Sequence, residues 1–238
     1  SEQPNQIVRM VSVFRGNVTF KMSCQPRFNY AASDHELQSS DRCATFFPAH
    51  KSCPPMSLYS TVAIDRRSQD ISAEFSLQAG ESATFVLGGL RAEGEQLEMD
   101  LLRQRFLETA QFWKTWVSKS NYKGRWGEMV LRSALVLKLL ISRKHGSLIA
   151  AATFSLPESI GGVRNWDYRF TWLRDAAFTL HALIRLGFLD ETEAFFAWVK
   201  GRLGEDAQRG PLQVMYGVDG RQTLDEISLD HLCGYENS

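Results

Sequence analysis

The side chains best suited to bind a ligand are concentrated in one stretch, residues 161–175, which reads GGVRNWDYRFTWLRD. Four aromatic rings and five charged groups share its fifteen positions, between a pair of glycines and a run with helical periodicity. This composition is unusual for a core. It is typical of a loop whose residues converge on a ligand while an adjoining helix fixes their geometry.

This mixture of residues matches the chemistry of sugar recognition. A pyranose has an apolar face that stacks on tryptophan or tyrosine, and a rim of hydroxyls that donate and accept hydrogen bonds. Arg174 supplies donors and ionised Asp175 supplies acceptors, so together they can hold two hydroxyls. The residues alone also allow a structural interpretation, with Arg174 and Asp175 as an ion pair at a helix start. Trp166 and Trp172 would then belong to the core, and Asp167 would cap a turn.

Alternating apolar residues in the first part of the chain predict β-strands. Val18, Phe20, Met22 and Cys24 alternate with polar residues, and residues 71–77 repeat the pattern, which places one set of side chains on a core face. Several such runs predict an antiparallel β-sandwich.

Turn residues delimit the predicted strands. Gly80 offers a turn, so the sequence predicts an antiparallel hairpin over residues 72–87. Residues 31–55 are rich in serine, aspartate and proline and predict an irregular connection around a brief strand at residues 44–47, which Pro48 would end.

The second part of the chain has helical periodicity. All six tryptophans lie beyond Leu102, and a helix is predicted from about Glu93. A second helix is predicted from an apolar stripe over residues 126–141, closed by Gly146. A third is predicted over residues 173–185 and ended by Gly187, and Asp190 is predicted to cap a fourth.

Composition argues against several classes of partner. The 27 basic residues balance the 27 acidic ones, so no net positive field would attract nucleic acid or an anionic membrane. No apolar run approaches the roughly 20 residues that cross a bilayer. Cys24, Cys43, Cys53 and Cys233 form no CxxC pair, which favours isolated reduced thiols over a disulfide or a metal site. We therefore expect no nucleic acid, membrane, metal or cofactor partner, and a cytoplasmic location.

Three segments resemble one known family of enzymes. Residues 155–176, SLPESIGGVRNWDYRFTWLRDA, closely resemble the start of the catalytic domain in glycoside hydrolase family fifteen, in its glucoamylase-like and trehalase-like branch. Residues 24–30, CQPRFNY, resemble the sandwich motif of that branch, and residues 132–140, RSALVLKLL, resemble its first barrel helix.

The resemblance implies a multidomain protein, part β and part all-α. Residues 1–92 would be an antiparallel β-sandwich, incomplete at its N-terminus, and residues 93–122 a helical linker. Residues 123–238 would be the first helices of an (α/α)6 barrel, incomplete at its C-terminus. The chain is thus expected to be truncated at both ends.

The resemblance also implies an activity, the inverting, exo-acting hydrolysis of α-glucosidic bonds in trehalose, maltooligosaccharides or starch ends. Arg174 and Asp175 would bind hydroxyls of the terminal glucose, and Trp172 and Tyr168 would line the same subsite. Inversion needs a carboxylic acid and a carboxylate about 6.5–9.5 Å apart. Both are expected downstream of Ser238, so no catalytic residue is assigned within the chain, which would be inactive alone.

Other interpretations remain open at this stage. The chain could be a non-catalytic carbohydrate-binding or regulatory product, or a plain two-domain structural protein. Glu226 and Asp230 are four residues apart and could share a helix face beside His231, but an exposed acidic face or a turn explains them equally. His181 fits packing or the surface better than a ligand-binding role.

Overall fold

The computed structural model describes residues 5–90, 98–154, 156–206 and 212–238. The chain divides into two compact units, Ser1–Leu107 and Glu108–Ser238. The predicted domain boundary between residues 92 and 93, and the predicted helix start near Glu93, lie outside the described residues. So does Ser155, the first residue of the run that resembles family fifteen.

The described residues of the first unit form eight strands in two antiparallel sheets. A five-stranded sheet has the order β1-β8-β5-β4-β3, and a three-stranded sheet has the order β2-β7-β6. Side chains from both sheets share one apolar core, which is consistent with the predicted β-sandwich. The strands are β1 (Gln6–Ser12), β2 (Asn17–Cys24), β3 (His35–Ser39), β4 (Cys43–Pro48), β5 (Met56–Ser60), β6 (Asp65–Arg67), β7 (Asp70–Gln78) and β8 (Ser82–Gly88).

The alternating pattern places its apolar residues on the core face of β7 and β2. Ile71, Ala73 and Leu77 are buried, as the alternation predicts. Phe20 of β2 is half-buried, but Val18, expected on the same face, is 42% exposed. Val18 lies near the end of the β2–β7 ladder, where fewer neighbours can cover it.

The predicted hairpin over residues 72–87 is wrong. β7 pairs with β2 and β6, whereas β8 pairs with β1 and β5, so the two strands belong to different sheets. Gly80, at φ +90°, does turn the chain, but its amide donates to the carbonyl of Val13, just after β1. The turn therefore carries the chain from one sheet to the other. Phe75 and Phe85 then meet in the core, with ring centroids 5.7 Å apart.

The stretch expected to be irregular contains a strand that the sequence did not reveal. The predicted strand at residues 44–47 is confirmed as β4, but β3 lies beside it. His35 of β3 is buried, its Nε2 atom lies 2.8 Å from the carbonyl oxygen of Gln69, and its ring meets Phe46 edge-on. Because a histidine occupies a core-facing position of β3, the sequence of this strand lacks the clear alternation of apolar and polar residues that predicts a strand.

The rest of the described chain contains four α-helices, one small ladder and a short 3-10 helix at Tyr235–Asn237. The elements are α1 (Met99–Ser118), α2 (Gly127–Leu139), β9 (Thr171–Trp172), α3 (Leu173–Arg185), α4 (Asp190–Asp206) and β10 (Met215–Tyr216). The third predicted helix is confirmed. The fourth begins at Asp190, but Asp190 does not cap it as predicted: the carbonyl of Leu189 accepts from the amides of Thr192 and Glu193, and the Asp190 carboxylate pairs with Lys119. The second ends at Leu139, earlier than predicted, because Ile141 forms a bridge with Leu148 across a turn that contains Gly146.

A buried carboxylate joins three of the helices in the second unit. Glu191 of α4 is 4% exposed, and its Oε1 atom accepts hydrogen bonds from Trp116 Nε1 and from Lys138 Nζ, both at 2.7 Å. The ring of Trp116 stacks on Phe188, with centroids 3.9 Å apart. Burial alone would raise the pKa of Glu191, but the bonds from Lys138 and Trp116 outweigh it and hold this pKa below its usual value. The ends of α1, α2 and α4 are thereby fixed together.

Two further observations bear on the sequence predictions. All four cysteines are free thiols, as their spacing predicts, and burial raises the pKa of the Cys24 and Cys43 thiols. None of the helices in the described ranges has the length and apolar character that crossing a bilayer requires.

Candidate functional site

The short ladder between β9 and β10 positions the start of α3. Trp172 pairs with Met215, and the amide of Leu173 donates to the carbonyl of Val214 at 3.2 Å. Thr171 faces the interior and is fully buried, which anchors the ladder. The helix begins at the next residue, so the side chains of its first turn project from a fixed backbone.

Three aromatic residues lie near one another just before this helix. The ring centroids of Tyr168 and Trp172 are 6.3 Å apart with a tilt of 37°, and those of Phe170 and Trp172 are 6.4 Å apart and nearly perpendicular. Amides of Ala151 and Ala150 bind the carbonyls of Tyr168 and Phe170, both at 3.0 Å. We refer to Tyr168, Phe170 and Trp172 as the aromatic row. All three are half-buried, so part of each ring stays accessible.

Arg174 and Asp175 form an ion pair in the first turn of α3. The Nη2 atom of Arg174 lies 3.0 Å from Oδ2 of Asp175. A carboxylate in this position also interacts favourably with the helix dipole. The Arg174 side chain is 72% exposed and that of Asp175 37% exposed, so both retain free hydrogen-bonding capacity toward solvent or a ligand. The ion pair at a helix start that the sequence allowed is present, and it leaves both groups accessible.

Asp167 and Arg169 brace the loop that carries the aromatic row. Arg169 donates from Nε to Oδ1 at 2.9 Å and from Nη2 to Oδ2 at 2.8 Å, while its amide also donates to Oδ1. The side chain of Arg169 holds the pKa of the Asp167 carboxyl below its usual value. Asp167 thus caps a turn, as the structural interpretation expected. Trp166, expected in the core by the same interpretation, is 45% exposed, and Trp172 is only half-buried.

A second Arg–Asp pair approaches the aromatic row from the loop after β10. The guanidinium carbon of Arg221 lies 5.8 Å from the ring centroid of Phe170, and Arg221 pairs with Asp219 at 3.4 Å. Sequence reasoning missed these residues because tertiary contacts, among them the β9–β10 ladder, bring the two loops together. The two glycines in the run YGVDGR were the one local signal of a tight turn.

The other candidate groups lie elsewhere. A groove between α3 and α4 is lined mainly by apolar side chains such as Leu180 and Phe195 and also by His181, whereas Arg174 and Asp175 do not line it. Glu226 and Asp230 lie in a segment without helix, so they do not share a helix face. Within the described ranges, no group of three or more His, Cys, Asp or Glu residues is arranged to hold a metal ion.

Comparison with known proteins assigns the chain to a class of carbohydrate-cleaving enzymes. Residues 124–238 match the family model described as glycosyl hydrolases family 15, and trehalases align with nearly the whole chain. The chain belongs to glycosyl hydrolases family 15.

Particular relatives can be named within this class. The chain is 34% identical to the trehalase of Mycobacterium tuberculosis and 31% identical to that of Thermoplasma volcanium. It is 32% identical to trehalase 1 of Sulfolobus acidocaldarius. Each alignment covers 98% of this chain, but only 35%, 36% and 39% of the respective relative. The chain therefore spans a little over a third of the length of these curated relatives.

Proposed function

We propose that the chain forms part of an inverting, exo-acting hydrolase of α-glucosidic bonds and carries part of its glucose-binding subsite. Trehalose is the substrate we favour, because the named relatives are trehalases. The observation that carries the proposal is the accessible Arg174–Asp175 pair on the first turn of α3, the helix that directly follows the aromatic row. The four free cysteines favour a cytoplasmic location, since thiols persist in reducing compartments.

Each of the four residues has a defined role in this proposal. The guanidinium of Arg174 donates to ring hydroxyls, and the carboxylate of Asp175 accepts from them, so that each bond is charge-assisted. Trp172 and Tyr168 offer ring faces to the apolar side of the sugar. Because Arg174 and Asp175 leave the first turn of one helix, the spacing between donor and acceptor is set before the sugar binds.

Bond cleavage is assigned to residues outside this chain. We propose that a carboxylic acid protonates the leaving oxygen and that a second carboxylate activates water, as inversion requires. The resemblance of residues 155–176 to family fifteen supports a position for both groups downstream of Ser238. On the same grounds, we propose that residues 93–122 are a linker and that residues 123–238 open an (α/α)6 barrel.

The test is an assay of the full-length gene product on trehalose, maltose and soluble starch, with NMR detection of the anomers of glucose first released. An inverting enzyme acting on trehalose would release one α and one β glucose per bond. Release of the α anomer alone would contradict inversion. Binding without turnover would support a carbohydrate-binding protein without chemistry, and neither binding nor turnover would contradict the proposal as a whole.

A further inference from the structure

The loop after β10, residues 217–221, is a closed turn that two other elements hold in place. The amide of Gly217 donates to the carbonyl of Arg221, and the amide of Gly220 donates back to the carbonyl of Gly217, both at 2.9 Å. Gly220 has φ +92°, a conformation that side-chain-bearing residues rarely adopt. The turn therefore has one preferred shape.

Contacts from outside the loop fix its position as well as its shape. The hydroxyl of Ser147, which is fully buried, donates to the carbonyl of Val218 at 2.6 Å. Nη1 of Arg202 in α4 lies 3.4 Å from the carbonyl of Gly220. An exposed loop with no binding role has little need of such anchoring, whereas a loop that must present side chains to a ligand gains from it.

The two charged side chains of this loop are exposed to solvent. Asp219 is 51% exposed and Arg221 57% exposed, and the Oδ1 atom of Asp219 also accepts the amide of Arg221. Arg221 reaches the aromatic row at Phe170, whose ring in turn meets Trp172. The loop therefore carries, next to the aromatic row at Phe170, the same donor and acceptor combination that Arg174 and Asp175 provide on the first turn of α3.

We propose that Asp219 and Arg221, together with Phe170, hold the second sugar ring of a disaccharide whose first ring is held by Arg174 and Asp175. This inference rests on the proposed function. A disaccharide needs two sets of hydroxyl partners, and a ring face beside each set shields one side of each sugar from water. The two Arg–Asp pairs can supply these two sets, and the β9–β10 ladder joins the elements that carry them.

The test compares one-ring and two-ring sugars. Binding of D-glucose and of trehalose to the chain is followed by NMR titration for the wild type, Arg174→Ala, Arg221→Ala and Arg221→Lys. We expect Arg221→Ala to weaken trehalose binding about ten-fold or more, as expected for lost charge-assisted bonds, and to leave glucose binding unchanged. Arg174→Ala should weaken the binding of both sugars, and Arg221→Lys should restore part of the trehalose affinity.

The controls separate this inference from the proposed function. Arg185→Ala removes an exposed arginine at the far end of α3 and should change neither affinity, and thermal melts of each variant check the fold. The second-ring assignment is overturned if Arg221→Ala binds trehalose as the wild type does, or if it binds both sugars more weakly by the same factor. In either case, weaker sugar binding by Arg174→Ala would still support the proposed function. If the folded wild type binds neither sugar, both are overturned.

Discussion

The guanidinium of Arg174 and the carboxylate of Asp175, 3.0 Å apart on the first turn of α3, form a donor–acceptor pair that exists before any ligand binds. Each group partly neutralises the other, yet both keep free positions for hydrogen bonds. Removal of either one would leave its partner charged and unpaired. The pair therefore behaves as one recognition element, and its two members should lose function together.

The first prediction concerns turnover of the full-length gene product. Arg174→Ala and Asp175→Ala should each lower kcat/KM for trehalose roughly 30- to 1000-fold, because charge-assisted bonds to the substrate are lost. This factor corresponds to a loss of about 2–4 kcal/mol of transition-state stabilisation. Steady-state kinetics measure the effect. Arg185→Ala is the matched control and should remain near wild type. Normal kcat/KM in either site variant would remove the pair from the binding site.

The second prediction concerns the buried carboxylate of Glu191. Glu191→Ala should lower the free energy of unfolding by about 3 kcal/mol, since Lys138 and the indole of Trp116 would lose their partner inside the protein. Chemical denaturation measures the loss. The double variant Glu191→Leu with Lys138→Met should lose less, because it removes both charges. An equal loss in the single and double variants would show that the ion pair is not the cause.

The third prediction concerns the pH dependence of stability. The folded protein holds the pKa of Glu191 below the ordinary 4.5, so this residue stabilises the fold fully above that pH. The contribution is lost as the pH falls through the lowered folded-state value, because the unfolded chain takes up a proton first. Glu191→Gln should be less stable than the wild type at pH 7 but lose less stability between pH 6 and pH 3. Parallel pH profiles of the two proteins would refute this.

The fourth prediction concerns three consecutive left-handed residues in the first unit. Asn29, Tyr30 and Ala31 have φ of 48°, 56° and 65°, a conformation that costs non-glycine residues roughly 1–2 kcal/mol. Ala31→Gly should therefore stabilise the protein by up to about 1 kcal/mol, after allowance for the greater freedom of glycine in the unfolded chain. Ala32→Gly, at a position without positive φ, should be destabilising. Chemical denaturation of both variants checks the difference in sign.

Local patterns were enough to predict individual elements. The bounds of α3, the start of α4 and the alternation along β7 followed from periodicity and from the glycine after the third helix. Local patterns did not predict which strands pair with each other, because pairing depends on contacts between distant parts of the chain. β7 and β8 read as a hairpin because an alternating run, a turn and an apolar run follow one another along the chain. The two strands instead lie in different sheets of the sandwich, and the turn between them bonds to Val13.

The candidate site was predictable only where its parts are contiguous. Tyr168, Trp172, Arg174 and Asp175 lie in one short run, so composition and resemblance identified them together, and their role remains a prediction. Asp219 and Arg221 come far later in the chain. Tertiary contacts such as the pairing of Trp172 with Met215 bring their loop to the aromatic row, and two-residue strands leave no periodic signal in a sequence.

The central claim is that Arg174 and Asp175, beside Tyr168 and Trp172, hold a glucose ring. A crystal structure of the chain with trehalose tests it most directly. We expect a glucose ring whose hydroxyls lie within hydrogen-bond distance of the Arg174 guanidinium and the Asp175 carboxylate, with one face against the aromatic row. Trehalose bound elsewhere, with those two side chains contacting only solvent and each other, would contradict the claim.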